Sequence, residues 1–321
     1  MRREGSPWQG LGTVYAKELS DHLSSIRMLV LEILIAIIAC AVVYFAIDDI
    51  RKTTAEDPFV LLKLFTSSQS AVLSMVVVLG ILIPVMAIAL GFDAINGEHN
   101  RRTLSRILSQ PIYRDALLAG KFLAALTTLG IGLLCLWLLV IGLGVMLLGV
   151  PPGAEELTRA FVFLLITLAY AGTWLAFAIL LSIATRSAAT AVLVGLGVWF
   201  FLTLLWPALV PQIAAAIVPP DPRYALFGLQ DPATVKWAET LRHLSPNDLF
   251  TSAATVLLAP DQRQLSQIVN ISQWQGAILG APLPLSESLA IAWAPGVSLI
   301  AGVIVLFVAG YVVFQRQEVR A

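Results

Sequence analysis

The sequence predicts an all-α, polytopic membrane protein with six transmembrane helices, an N-terminal amphipathic elbow helix and a helical extracytoplasmic loop between helices 5 and 6. Three observations carry that expectation. The chain is 58% hydrophobic and 12% charged, whereas a soluble domain holds about 25% charged residues. Its mean hydropathy is +0.86. Apolar stretches fall at 28–47, 71–92, 122–149, 160–184, 188–210 and 291–314, and each is long enough for a hydrocarbon core about 30 Å thick, which takes roughly 20 residues of helix. Lipid offers no partners to backbone N–H and C=O groups, so each span is expected to be helical.

The elements follow in order. Residues 1–27 form the elbow segment, where Leu11, Val14, Tyr15, Leu19, His22, Leu23 and Ile26 recur at helical spacing between Lys17, Glu18, Asp21 and Arg27. That pattern is an amphipathic helix for the membrane interface, with a soluble partner as the alternative. Residues 28–210 hold helices 1 to 5, interrupted by a cytoplasmic segment at 93–121. There Leu104, Ile107 and Leu108 make an apolar stripe, with Arg101, Arg102 and Arg106 off it. Pro111 biases Gln110 to an extended backbone and ends the surface helix; Asp115 then suits the first turn of the next one. The third span carries Gly130, Gly132, Gly142, Gly144 and Gly149, which suits close helix packing or a subunit interface. Residues 211–290 form an extracytoplasmic helical cap. Its start is rich in proline, helical patterns follow near 234–244, 247–258 and 261–277, and the run around Leu249 to Leu257 is too short to span. Residues 291–321 give helix 6 and a short cytoplasmic tail.

The net charge of zero hides an asymmetry. With the N-terminus inside, the inner segments hold Arg2, Arg3, Lys17, Arg27, Arg101, Arg102, Arg106, Arg114, Lys121, Arg186, Arg316 and Arg320. The outer ones hold Arg51, Lys52, Lys63, Arg159, Arg223, Lys236, Arg242 and Arg263. Twelve plus eight accounts for all 20 Lys and Arg. The larger share lies in the shorter loops, so the positive-inside rule places both termini in the cytoplasm and the chain in the cell (inner) membrane. Cys40 and Cys135 both lie in apolar spans, so no disulfide framework is expected. The long first run argues against a cleaved signal peptide.

No catalytic, cofactor-binding or metal-binding residues are expected. Gly120-Lys121 is followed by Phe122, which supplies no hydroxyl for magnesium, and the phosphate-cradling loop before it is missing. His22, His99 and His243 lack ligand spacing. Glu32 is the one acid within an apolar span and is the candidate intramembrane functional acid, with headgroup water or an ion pair to Arg27 or Arg186 as the other readings. Pro84 lies within the second span.

Several of these residues resemble the type-2 permease family of ABC transporters, which includes NosY-like permeases. Lys17-Glu18-Leu19 to Arg27 is similar to that family's elbow. The stretch from Glu98 to Lys121 resembles its cytoplasmic motif E-x-x-x-G-T-L-x-x-L-L-S-x-P-x-x-R-x-x-L-L-x-G-K, matched at Glu98, Thr103, Leu104, Leu108, Ser109, Pro111, Arg114, Leu117, Leu118, Gly120 and Lys121. Arg102 stands where the family has glycine. Ser245-Pro246 with Leu249-Phe250 resembles its outer segment before the last span. The resemblance implies a dimer of permease chains, a homodimer in the simplest case, among membrane lipids, working as an exporter. ATP and magnesium would sit in separate ABC ATPase subunits, and Glu98, Arg101, Arg102, Arg106, Pro111, Arg114 and Lys121 would form the ATPase-coupling segment. No nucleic-acid partner is expected, and the outer cap leaves room for an extracytoplasmic protein partner. A self-contained secondary carrier or channel, or a membrane assembly factor recruiting such a partner, are the alternative readings. The cargo is not legible in the sequence.

Overall fold

A computed structural model describes residues 8, 10–52, 59–66, 74–100, 112–149, 151–221, 223–224, 230–260 and 283–316. The expected surface-helix residues Arg101, Arg102, Arg106 and Pro111, and the helical pattern at 261–277, lie outside the described residues.

The described chain is helical throughout. A first helix α1 (Leu11–Leu23) leads into α2 (Ile26–Lys52), and a short α3 (Val60–Thr66) precedes α4 (Met75–Gly91) and α5 (Asn96–Asn100). Two long helices follow, α6 (Arg114–Leu148) and α7 (Ala154–Ala184), then α8 (Ala188–Phe200), which continues through a π-helical turn at Phe201–Leu205 into α9 (Trp206–Ile217). The chain closes with α10 (Pro232–Arg242), α11 (Pro246–Leu258) and α12 (Leu285–Arg316). Among the described residues, six helical stretches are long and apolar enough to cross a membrane: Ile26–Asp48, Met75–Glu98, Arg114–Leu148, Ala154–Ala184, Ala188–Ile217 and Leu285–Arg316.

These helices overrun the apolar windows at their polar ends. The elbow, in contrast, is shorter than its pattern: Ser24-Ser25 breaks it, the Ser24 hydroxyl donating to the Ser20 carbonyl at 2.7 Å. Ile26 and Arg27 therefore belong to α2. The fifth span runs through both Pro207 and Pro211 to Ile217 instead of stopping at 210. Pro207 has no N–H for the i−4 ladder. The turn before it widens so that the Trp206 amide bonds Phe201, and the carbonyl of Leu202 accepts from the Ser245 hydroxyl at 3.0 Å.

The centre of the bundle is α7, the most covered of the spans, with α4, α6, α11 and α12 around it. The run from Leu249 to Leu258 on α11 is not a lid over the bundle. Leu249, Phe250, Ala253, Ala254, Leu257 and Leu258 are buried between α4, α7 and α12. Phe250 stacks on Tyr170 with centroids 4.7 Å apart. At 1.5 Å rise per residue, Tyr170 lies about 24 Å along α7 from its start, so α11 enters the bundle as a wedge. The Tyr170 hydroxyl donates to the Gly80 carbonyl at 2.9 Å, which ties α7 to α4 at that depth.

Two charged side chains close the α10 end of the bundle. Glu156 accepts from the Leu61 and Gly153 amides, both at 2.9 Å, joining the starts of α3 and α7. Arg159 is wholly enclosed. Its guanidinium pairs with Glu155 at 2.8 Å and donates to the carbonyls of Leu257 and Leu283 and to the Ser288 hydroxyl, with Phe59 beneath it. Its five donors in a rigid fork suit four such acceptors; an ammonium would reach fewer.

Removing one member of a buried charged network leaves its partners desolvated and costs about 3–5 kcal/mol. Arg159→Met is therefore expected to lower the thermal unfolding midpoint of the purified protein in detergent well below that of Thr158→Ala on the exposed side of the same turn, as followed by tryptophan fluorescence.

Candidate coupling site

The end of the bundle opposite α10 is held by Lys121. It sits two turns into α6 and is buried. A buried ammonium is tolerated only when paired. Its Nζ lies 2.9 Å from Glu18 Oε1 on α1 and 2.8 Å from Glu98 Oε1 on α5. One cation thus joins three segments far apart in sequence. Lys17 approaches the same Glu18 oxygen at 2.9 Å and Asp21 at 3.0 Å, which places five charged groups in one cluster.

Gly120 explains how α1 can come so near. A Cβ at Gly120 would stand 2.8 Å from Val14 Cγ1, closer than real Cβ atoms approach. The glycine lets α1 lie on α6 and the lysine after it pins α1 there. Tyr15 adds a second tie, its hydroxyl donating to Thr127 Oγ1 at 3.2 Å. Gly10, just before α1, is left-handed at φ 90° against Ile112, a conformation glycine adopts without strain.

The entry to α5 is fixed from two further sides. The Ile95 and Asn96 amides donate to Ser182 Oγ, buried near the end of α7, at 3.0 and 3.2 Å. Asp93 pairs with Arg27 at 3.1 Å. At the C-terminal side of the same segment, Arg114 donates to the Phe314 carbonyl at 3.3 Å and lies over its ring, and Gln315 donates to Asp115. The two ends of the 93–121 segment therefore touch α1, α2, α6, α7 and α12.

The electrostatics follow from this geometry. Burial alone would raise the Glu18 carboxyl, but the Lys121 charge and the hydrogen bonds from Lys17 and Lys121 outweigh it and hold the group below its ordinary value of 4.5. Burial alone would lower the Lys17 ammonium; its bonds to Glu18 and Asp21 raise it instead. His22, one turn after Glu18 and half-buried, is shifted below 6.5 because burial disfavours its charged form and Lys121 repels it, which outweighs the pull of Glu18, Asp93 and Asp21.

Of the expected coupling residues, the structure brings Glu98 and Lys121 into direct contact, and sets Arg114 apart against α12. Lys17, Asp21, Asp93 and Ser182 were not expected at this site, and Glu18 was noted only as part of the elbow pattern. Its spacing four residues after Val14 is the signal that could have been read: it lies on the buried stripe of α1, not between apolar positions. Glu32 stands apart from the cluster. Arg27 is engaged by Asp93, and Glu32 instead lines a cavity between α2, α4 and α6.

Among the described residues, six helices are long and apolar enough to cross a membrane, with a charged node at one end, which is the architecture of a polytopic membrane protein. The chain belongs to the ABC-2 family transporter proteins, whose pattern it matches over residues 12–319. It is 27% identical over 283 residues to a protein of Pseudomonas aeruginosa described as a probable ABC transporter permease protein NosY, covering 86% of this chain and 87% of that one. A protein of Stutzerimonas stutzeri with the same description is 26% identical over 314 residues, covering 94% of this chain and 96% of that one.

Acidification is expected to loosen α1 in two phases. Both groups have lowered native values, so their contribution is complete above the unfolded values and lost as pH falls through the native ones. His22 acts first, below about 6.5, and Glu18 below about 4.5. Amide hydrogen exchange across Leu11–Leu23 should show both phases, with His22→Gln abolishing the first alone. Lys121→Met removes the buried cation that Glu18 and Glu98 share and should cost about 3–5 kcal/mol, read as lost protection of α1; Lys17→Met, at an exposed ammonium, should change it far less.

Proposed function

We propose that this permease is the membrane-spanning half of an ATP-driven exporter, working as a dimer. A separate ABC ATPase subunit engages the 93–121 segment on the cytoplasmic side; ATP and magnesium belong to that subunit. The observation that carries this reading is the anchoring of both ends of the segment. Displacing it moves Lys121 against α1, Arg27 through Asp93, Ser182 through the α5 entry, and α12 through Arg114 and Asp115. A push from a soluble partner would so reach five helices without passing through lipid. Arg101, Arg102 and Arg106, which lie between those ends in the sequence, are then the charges offered to the partner.

Orientation follows from the arginine and lysine excess in the shorter loops, which sets both termini in the cytoplasm of a bacterial-type inner membrane. On this reading α1 lies in the cytoplasmic interface, and the 211–290 region faces outward, where α11 enters the bundle and α10 remains available to an extracytoplasmic protein. The dimer is supported by coverage: only 11% of the window in the fifth span and 17% of that in the sixth are buried within one chain. Leu193, Phe200, Phe201, Leu204 and Leu205 form a broad apolar face on the fifth, which a second copy and lipid would share.

The chain is expected to co-purify with a P-loop ATPase when the two are expressed together, and Glu98→Lys or Arg106→Glu should abolish the stimulation of ATP hydrolysis while the complex still assembles in the membrane. Flux of cargo through vesicles holding this chain alone, driven by an ion gradient or voltage, would overturn the reading in favour of a self-contained carrier.

A further inference from the structure

We infer that Glu32 is the anchor of a binding site for a compact lipophilic organic cation within a single protomer. A cavity of about 250 Å³ opens between α2, α4 and α6. Since liquid water takes about 30 Å³ per molecule, the space equals roughly eight waters. Leu29, Met86, Leu136 and the other lining groups are aliphatic or sulfur-bearing, and no aromatic ring is among them. Glu32 is the one charged side chain in this wall, and its Oε1 stands 3.3 Å from where a Cβ on Gly132 would be, so the carboxyl projects across the cavity toward α6. Among the described residues it has neither an ion pair nor a hydrogen bond, because Arg27, the nearest cation in sequence, is taken by Asp93.

The chemistry of the occupant follows. A carboxyl some 9 Å into a membrane helix, by the rise per residue, is costly when unpaired. A cation entering the cavity turns that cost into attraction, and the attraction strengthens as water leaves. With no ring to offer a cation–π contact, recognition of charge rests on Glu32 alone, while the apolar wall and the pliable Met86 side chain accept varied hydrocarbon. The volume suits a small quaternary or tertiary amine and not a two-chain lipid. This assignment needs no ATPase and stands apart from the coupling reading, so either can fail alone.

The test uses the full-length chain in neutral maltoside micelles and a matched pair of probes. Benzyltrimethylammonium carries a permanent charge; neopentylbenzene has the same shape and none. Equilibrium dialysis of the labelled cation should give saturable binding at one site per chain, weakened at least ten-fold by Glu32→Gln and largely restored in Glu32→Asp. Gly132→Leu should abolish binding of both probes by filling the cavity, whereas Glu32→Gln should leave neopentylbenzene unaffected. In a Cys40→Ser background, the cation should slow alkylation of Cys135, which lines the same wall. Each variant is first shown to elute and melt as the parent does. Equal affinity of the cation for the parent and Glu32→Gln overturns the proposal. So does displacement of the cation by phosphatidylethanolamine, which would assign the site to a lipid headgroup, or ready cross-linking of two chains through Cys135, which would assign the face to a second copy.

Discussion

The charged cluster at one end of this bundle is built around a single buried ammonium. Lys121 can stay in the interior only while carboxylates meet it, and the two that do come from α1 and α5, 103 and 23 residues away in sequence. The lysine therefore fixes more than its own surroundings. It holds an amphipathic helix that has little else to bury: of its 13 residues only Val14 and Glu18 are well covered. It also sets where the 93–121 segment leaves the bundle. Gly120 makes this possible by removing the side chain that would keep α1 at a distance, so adjacent residues of the sequence supply the approach and the latch.

The opposite end is organised by the same physics with a different cation. Arg159 gathers the C-terminal end of α11, Leu283 and the start of α12 around the start of α7, and a guanidinium suits that task because its acceptors, two carbonyls, a carboxylate and a hydroxyl, are spread in several directions. Between the two charged ends lie hydroxyls that bond carbonyls of their own or neighbouring helices, such as Thr128, Thr167 and Thr173, and Asn247 of α11 beside Tyr170. The charged clusters thus sit at the ends, and the middle is held by packing and by neutral ties such as that of Tyr170 to the Gly80 carbonyl. Glu32 is a carboxyl away from both clusters, and it is also where the packing leaves a cavity.

The spans were legible because lipid imposes a crude rule, length and apolarity, that composition satisfies by itself. Their ends were less so, since helices continue into water by capping and polar contacts that hydropathy does not register: the fifth passes Pro207 because a π turn and Ser245 absorb the loss. Glu18 was hidden by the logic of amphipathicity, which sends acids to the solvent face; its partner lies 103 residues further on, and pairing at that range leaves no local trace. Arg159 looked like an ordinary loop charge for the same reason. The α11 run was recognised as too short to span, yet its depth depends on Phe250 meeting Tyr170, a contact made by two distant segments. Gly120-Lys121 stands out in the sequence only as part of a pattern, and the geometry gives it a physical role.

Clamped ends and a loosely specified middle have a mechanical consequence for a protein read as moving under an external push. Helices in lipid gain little from the hydrophobic effect on associating, and small residues with van der Waals contact decide how they fit. Sliding one apolar surface on another therefore costs less than breaking an enclosed ion pair. A force applied to the 93–121 segment would leave the Lys121 node intact and be spent in the middle, where α2, α4 and α6 already fail to close around Glu32. The cavity is then the place most readily widened or shut by motion of the segment. It shares α6 with the node: Lys121 and Gly132 are 11 residues apart on one helix, about three turns, so a tilt imposed at the first displaces the wall that faces the carboxyl at the second.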